Sequence, residues 1–196
     1  MRALVTGFEP FDGASLNASY EAVRRLPQRI GALDVTTAQL PTSYARAGSA
    51  LLRETERTQA DIVLCVGEGS ERVELNIERI AINVQDARIP DNDGAQPVDT
   101  PVVDAAPAAY FARLPVRKIH AALTAAGLPS IISNSAGTFV CNHVFYTLMH
   151  FAATRSSGIR GGFLHVPCWR EPGTAVMPLD DIVRGIAIAL EVSAGN

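Results

Sequence analysis

The sequence has almost no surplus charge. Its 196 residues hold 17 Lys and Arg against 20 Asp and Glu, for a formal net charge of -3 and a pI near 5.8. No cationic footprint is therefore available for a nucleic-acid backbone or an anionic membrane surface. Cysteine is scarce as well. Cys65, Cys141 and Cys168 lie far apart, form no CxxC pair and are odd in number, which argues against a disulfide framework and for free thiols in a reducing compartment. No apolar run approaches the ~20 residues that a bilayer crossing takes. The opening stretch, Met1 to Phe11, enters a short strand that breaks at Gly7 and has no apolar signal core. A cytoplasmic protein without a membrane or nucleic-acid partner is the expectation. A Walker-type GxxxxGK[ST], zinc-like ligand spacing, internal repeats and low-complexity tracts are all missing, so neither a metal nor a cofactor is expected.

What is present is core-forming material. Apolar residues make up 47% of the chain and charged ones 19%, enough for one domain over residues 1–196 to fold alone. Short apolar runs at Ala3 to Val5, Val35 to Leu40, Ile62 to Val66, Ile131 to Ser133 and Gly162 to Val166 read as strands. Between them, Ser19 to Leu26, Ser43 to Thr58, Val116 to Ala126, Asn142 to Arg155 and Asp180 to Val192 place apolar residues at helical spacing. Such alternation predicts an α/β three-layer sandwich, a mostly parallel central sheet with helices on both faces. Two regions depart from it. Arg72 to Arg88 reads as one or two extended segments, and Ile89 to Tyr110 as a loop rich in Pro, Asp and Gly, long enough to be functional or disordered.

Three positions stand out chemically. Cys141 lies at or just before the start of a helix, where unpaired N–H groups and the helix dipole lower a thiol's pKa and can hold an oxyanion. Taken alone, the position suits a small buried residue better. His165 ends a short apolar strand, and ligands of open α/β sheets bind beyond the carboxyl ends of the strands. A core histidine with a hydrogen bond is the blander account. His143, His150 and His120 are poorer partners for Cys141, the first two because they sit farther along its helix. Glu78 interrupts the apolar run Ile77 to Ile82, and read by itself it is a surface residue paired with Arg79.

Together these residues fall in a recurrent pattern. The stretches GFEPFDG (Gly7 to Gly13), ERIAIN (Glu78 to Asn83), DARIPDNDGAQP (Asp86 to Pro97), SAGTFVCNH (Ser135 to His143) and GGFLHVP (Gly161 to Pro167) occur in order along nearly the whole chain. In this the chain resembles the pyroglutamyl peptidase I, or pyrrolidone carboxyl peptidase, family. The resemblance implies a thiol peptidase, an omega-peptidase that hydrolyses N-terminal pyroglutamyl residues from peptides. It implies Cys141 as nucleophile, His165 as base and Glu78 as orienter, in a cytoplasmic homotetramer with an α/β fold. It assigns the substrate pocket to Phe8, Phe11, Ile89, Phe139 and Val140, with Arg88 near the oxyanion and Glu68 beside the ring.

The chain also departs from the family pattern. Where GQAGGR is usual, it reads Gly67-Glu68-Gly69-Ser70-Glu71-Arg72, so the substrate contact at Glu68 is open. If the lactam is read by backbone groups, the Glu68 side chain is free to turn toward solvent or Arg72. Where Asn-Pro is usual, the chain has Asn17-Ala18. Two rivals follow. One is a phosphate or nucleoside enzyme using Gly7 to Gly13 as an anion cradle, although that turn holds no Lys or Arg. The other is an inactive or specificity-shifted homologue that binds a lactam-like molecule.

Overall fold

A computed structural model describes residues 1–69, 71–155, 158–169 and 176–195; Ser70, one of the departures just named, lies outside them. In chain order the elements are β1 (Arg2–Phe8), α1 (Ala18–Val23), β2 (Arg29–Ile30), β3 (Leu33–Leu40), α2 (Ala47–Thr58), β4 (Ile62–Gly69), β5 (Leu75–Glu78), β6 (Ile80–Ile82), β7 (Ala109–Phe111), α3 (Val116–Ala125), β8 (Ser130–Ser133), α4 (Val140–Thr154), β9 (Arg160–Pro167) and α5 (Leu179–Ala194).

Seven strands form one sheet in the order β2-β3-β1-β4-β9-β5-β8. Its centre follows from the sequence. β1, β4 and β9 are nearly continuous apolar or small-residue runs, buried along almost their whole length, as strands covered on both faces must be. Pairing is parallel except for β2 against β3 and β5 against β9. Helices α1, α3 and α5 cover one face, with a core of Ala, Val, Leu, Ile and Met side chains. α2 and α4 cover the other, where Phe8, Tyr44, Phe145, Tyr146 and Phe163 are buried together. Layer count and sheet direction are as expected from the alternation.

The differences are local. α2 begins at Ala47 and not at Ser43, because Asp91 holds the preceding turn: its Oδ2 accepts the Tyr44 N–H at 2.8 Å. The long loop ends earlier than expected, since Ala109 and Tyr110 belong to β7, which pairs antiparallel with β6. What remains of that loop is ordered by Asn83, whose Oδ1 accepts the N–H groups of Val102 and Val103 at 2.8 and 2.9 Å. Neither β2 nor β7 has a sequence signal of its own.

Candidate active site

β9 delivers His165 to the carboxyl end of the sheet between two dissimilar neighbours. On one side its backbone partner is Gly67 of β4; on the other it is Asn76 of the antiparallel β5. Because β5 runs the opposite way, its last residue, Glu78, lies beside Phe163, two residues back along β9. Residues two apart share a face of a strand. The His165 Nδ1 accordingly sits 2.8 Å from Glu78 Oε1. Glu78 is completely buried, so the surface reading of that residue is wrong, and Arg79 instead spends its backbone N–H on Ser133 O at 2.9 Å. An ionised carboxylate can only accept, which assigns the Nδ1 proton to the imidazole and leaves Nε2 to act toward the pocket. The Phe163 ring, 4.8 Å from that of His165 between centroids, limits how the imidazole can turn.

Cys141 is the second residue of α4, after an N-cap at Phe139 that provides no side-chain cap. Two contacts place it. The fully buried Asn142 side chain accepts the Ile82 N–H at 3.0 Å and donates to the carbonyls of Ile82 and Val84 at 2.8 and 3.0 Å. These bonds tie the head of α4 to the segment that follows Glu78. The sulfur itself lies over Gly67, where a Cβ would stand 2.8 Å from Cys141 Sγ and 2.8 Å from the Phe163 ring. Only glycine leaves room for the thiol above the strand residue that pairs with His165.

The thiol's ionisation differs from the expectation. Burial pushes Cys141 up to about 12, and the negative charges of Glu78 and Glu68 and the nearby Cys65 add to this, against a smaller lowering by its own backbone N–H. Enclosure outweighs the helix terminus. In this setting the neutral thiol is the favoured form. The other histidines are engaged elsewhere. Nδ1 of His143 meets Gln85 Oε1 at 2.9 Å, and burial pushes that ring down to about 4. Tyr110 and Ser130 hold His150 and His120, each at 3.0 Å.

A cavity of about 210 Å³ opens in front of Cys141 and His165. Its lining includes every residue expected around the substrate: Phe8, Phe11, Glu68, Arg88, Ile89, Phe139 and Val140. The ring centroids of Phe11 and Phe139 are 6.0 Å apart. Glu78 stands behind the pair and not in the lining. Asn17, Thr42, Asp86 and Thr138 also face the cavity, unforeseen from the sequence. Asp86 and Thr138 lie within named stretches without having been singled out, and Asn17 caps α1: its Oδ1 accepts from Ser19 N at 3.0 Å.

Glu68 does not turn to solvent or to Arg72. Its side chain is almost entirely buried, and Oε2 accepts the Ala18 N–H at 2.6 Å at the start of α1. That N–H would be unpaired at a helix start, so the carboxylate fastens α1 to β4 at the cavity's edge.

The chain matches the family described as Pyroglutamyl peptidase over residues 1–196. It belongs to the pyroglutamyl peptidase family. A pyrrolidone-carboxylate peptidase of Streptococcus pneumoniae is 45% identical over 196 residues, covering 97% of this chain and 92% of the relative. One from Alkaliphilus oremlandii is 40% identical, covering 100% and 94%. Among solved structures, pyroglutamyl peptidase I of Bacillus amyloliquefaciens superposes with a TM-score of 0.95 at 38% identity, covering 100% of this chain and 97% of that one. Pyrrolidone carboxyl peptidase from Thermococcus litoralis gives 0.94 at 38%, covering 99% and 93%. The family is one of peptidases, and membership makes the chain a hydrolase. Among the described residues no helix is long and apolar enough to cross a membrane.

Proposed function

We propose that this peptidase removes N-terminal pyroglutamate from peptides through an acyl-enzyme, with Cys141, His165 and Glu78 as its triad. The observation that carries the reading is the 2.8 Å contact from His165 to the wholly buried Glu78, at the back of a cavity that Cys141 lines. His165 Nε2 takes the thiol proton as sulfur attacks the pyroglutamyl carbonyl. The peptide amine then leaves with that proton, and a water deprotonated by the same nitrogen hydrolyses the thioester. Glu78 fixes the tautomer and stabilises the imidazolium that forms at each step. Since burial favours the thiol form of Cys141, His165 has to take its proton for sulfur to attack.

The walls suit the ring. Phe8, Phe11, Ile89, Phe139 and Val140 offer apolar surface to a flat, neutral lactam, and N–H groups at the head of α4, with Arg88, are available to the oxyanion. With one Glu68 carboxylate oxygen bonded to the Ala18 N–H, we assign the reading of the lactam to backbone groups around it. Nothing in the cavity favours the non-catalytic alternative.

The test is hydrolysis of a pyroglutamyl fluorogenic amide beside prolyl and glutamyl amides. Release from the first alone is expected, and no release from it would overturn the proposal. The same resemblance supports a single-domain cytoplasmic protein assembled as a homotetramer. Sedimentation equilibrium giving a monomer or dimer mass would refute the assembly.

A further inference from the structure

The buried end of the triad is an anion in need of a countercharge. Glu78 is completely enclosed, and its Oε2 has no hydrogen-bond partner among the described residues. A carboxylate in that condition stays ionised only if a positive charge lies close. The side facing α3 and α5 supplies none: a small void there is lined by Glu78 together with Leu114, Ile119 and Ala189. The charges that do reach the pair come from elsewhere. The nearby groups that face Cys141, Glu78 and Glu68 among them, are negative, and Ser133 of β8 pairs with Glu78 as a neutral group.

Arg72 supplies the missing cation. Its Nη2 lies 3.8 Å from Glu78 Oε1, the oxygen that meets His165. It is held there at three points. Nη1 donates to Asn76 Oδ1 at 2.6 Å, and Asn76 is the β5 residue paired with His165. Nη2 donates to Ser135 O at 3.2 Å, in the loop that leads to Cys141. The stem crosses Gly69 so closely that a Cβ there would stand 2.4 Å from Arg72 Cγ. The guanidinium thereby links β5, which carries both Glu78 and Asn76, to the loop before Cys141, while its stem lies against Gly69 of β4.

We infer that Arg72 is a positioning residue whose charge balances the Glu78 carboxylate and holds it toward His165. This rests on the triad reading above. Arg72 is not among the residues that line the cavity and does not touch the reacting atoms, so loss of its charge leaves ring binding largely alone and weakens turnover. Taking a positive charge away from the pair makes protonation of the pair easier, and the acid limb of the pH–rate profile then moves to higher pH.

Arg72→Gln keeps N–H donors for Asn76 and Ser135 but not the charge, and Arg72→Lys keeps the charge but not the fork. For Arg72→Gln the expected result is kcat lower by about tenfold, KM within about twofold, and an acid limb raised by roughly half to one pH unit. Arg72→Lys should bring the limb back toward its original position. A limb unmoved in folded Arg72→Gln, or moved equally in both variants, overturns the role, because a merely structural loss would lower thermal stability without separating them. If Arg72→Gln does not fold, Arg72→Met and Asn76→Ala, which loosens the guanidinium, are measured in the same way. Cys141→Ala is assayed alongside. Activity there sinks the triad itself, whereas an inactive Cys141→Ala with unshifted Arg72 variants sinks only this inference.

Discussion

The two faces of the sheet are built from different material. The α1, α3 and α5 side is packed with aliphatic side chains, whereas the α2 and α4 side buries five aromatic rings and carries the cysteine. Aliphatic side chains interdigitate and leave few voids. Rings have few torsions and contact one another at edges and tilted faces, as Phe8 and Phe145 do against Phe163 at 6.4 and 5.8 Å and Tyr44 does against Phe139 at 5.6 Å. Plates of this kind can wall a permanent cavity. One face therefore supplies stability in a form that any well-packed set of side chains could replace, and the other supplies shape.

Substitutions on each face test that division. The largest effect belongs to Cys141→Ala, which should abolish peptide hydrolysis with the fold intact. Mapping an iodoacetamide-inactivated sample by mass spectrometry checks the same residue: full inactivation with Cys141 unmodified would remove it as nucleophile. Buried Cys65 should stay unlabelled, while half-buried Cys168 can label without loss. Glu78→Gln comes next, with kcat reduced on the order of tenfold to a thousandfold, since an amide still bonds the imidazole but no longer stabilises its charge. Unchanged turnover would leave Glu78 without a role.

A matched pair of glycines sharpens the comparison. A Cβ at Gly67 would meet Cys141 Sγ at 2.8 Å, and one at Gly185 would meet Leu75 Cδ1 at 2.4 Å. Each Ala variant should cost about 1 to 3 kcal/mol of stability in urea unfolding. Gly67→Ala should also lower kcat by about a hundredfold, because the nucleophile is displaced, while Gly185→Ala keeps kcat within about twofold. Equal losses of activity would erase the distinction between the faces. The smallest effect is expected for Glu68→Gln, whose amide oxygen can still accept the Ala18 N–H. A change in kcat/KM below about threefold is expected; a rise beyond roughly tenfold, about 1.4 kcal/mol, would mean that the side chain reads the ring.

The sequence disclosed the scaffold better than the site. Helix α5 and strands β4 and β9 are marked by local spacing, and His165 and Cys141 sit where strand and helix ends put functional groups. Glu78 could not be recognised by local reasoning. Its burial depends on β5 entering the sheet between β9 and β8, with partners 55 residues ahead at Ser133 and 85 ahead at Phe163. The inward turn of Glu68 likewise depends on a helix N–H 50 residues earlier. The ionisation of Cys141 was misjudged because the helix position is written in the sequence and the enclosure is not.

The last strand of the chain occupies an interior place in the sheet. Without β9, strands β2, β3, β1 and β4 form one ribbon and β5 with β8 another, and nothing in the sheet joins them. Such late, long-range closure is the slow kind of step in folding. Here it also carries the proposed base, since β9 brings His165 to Glu78. Without β9 in place, Cys141 has no imidazole beside Glu78 to serve it. With the proposed triad, activity therefore depends on the closure of the sheet by β9.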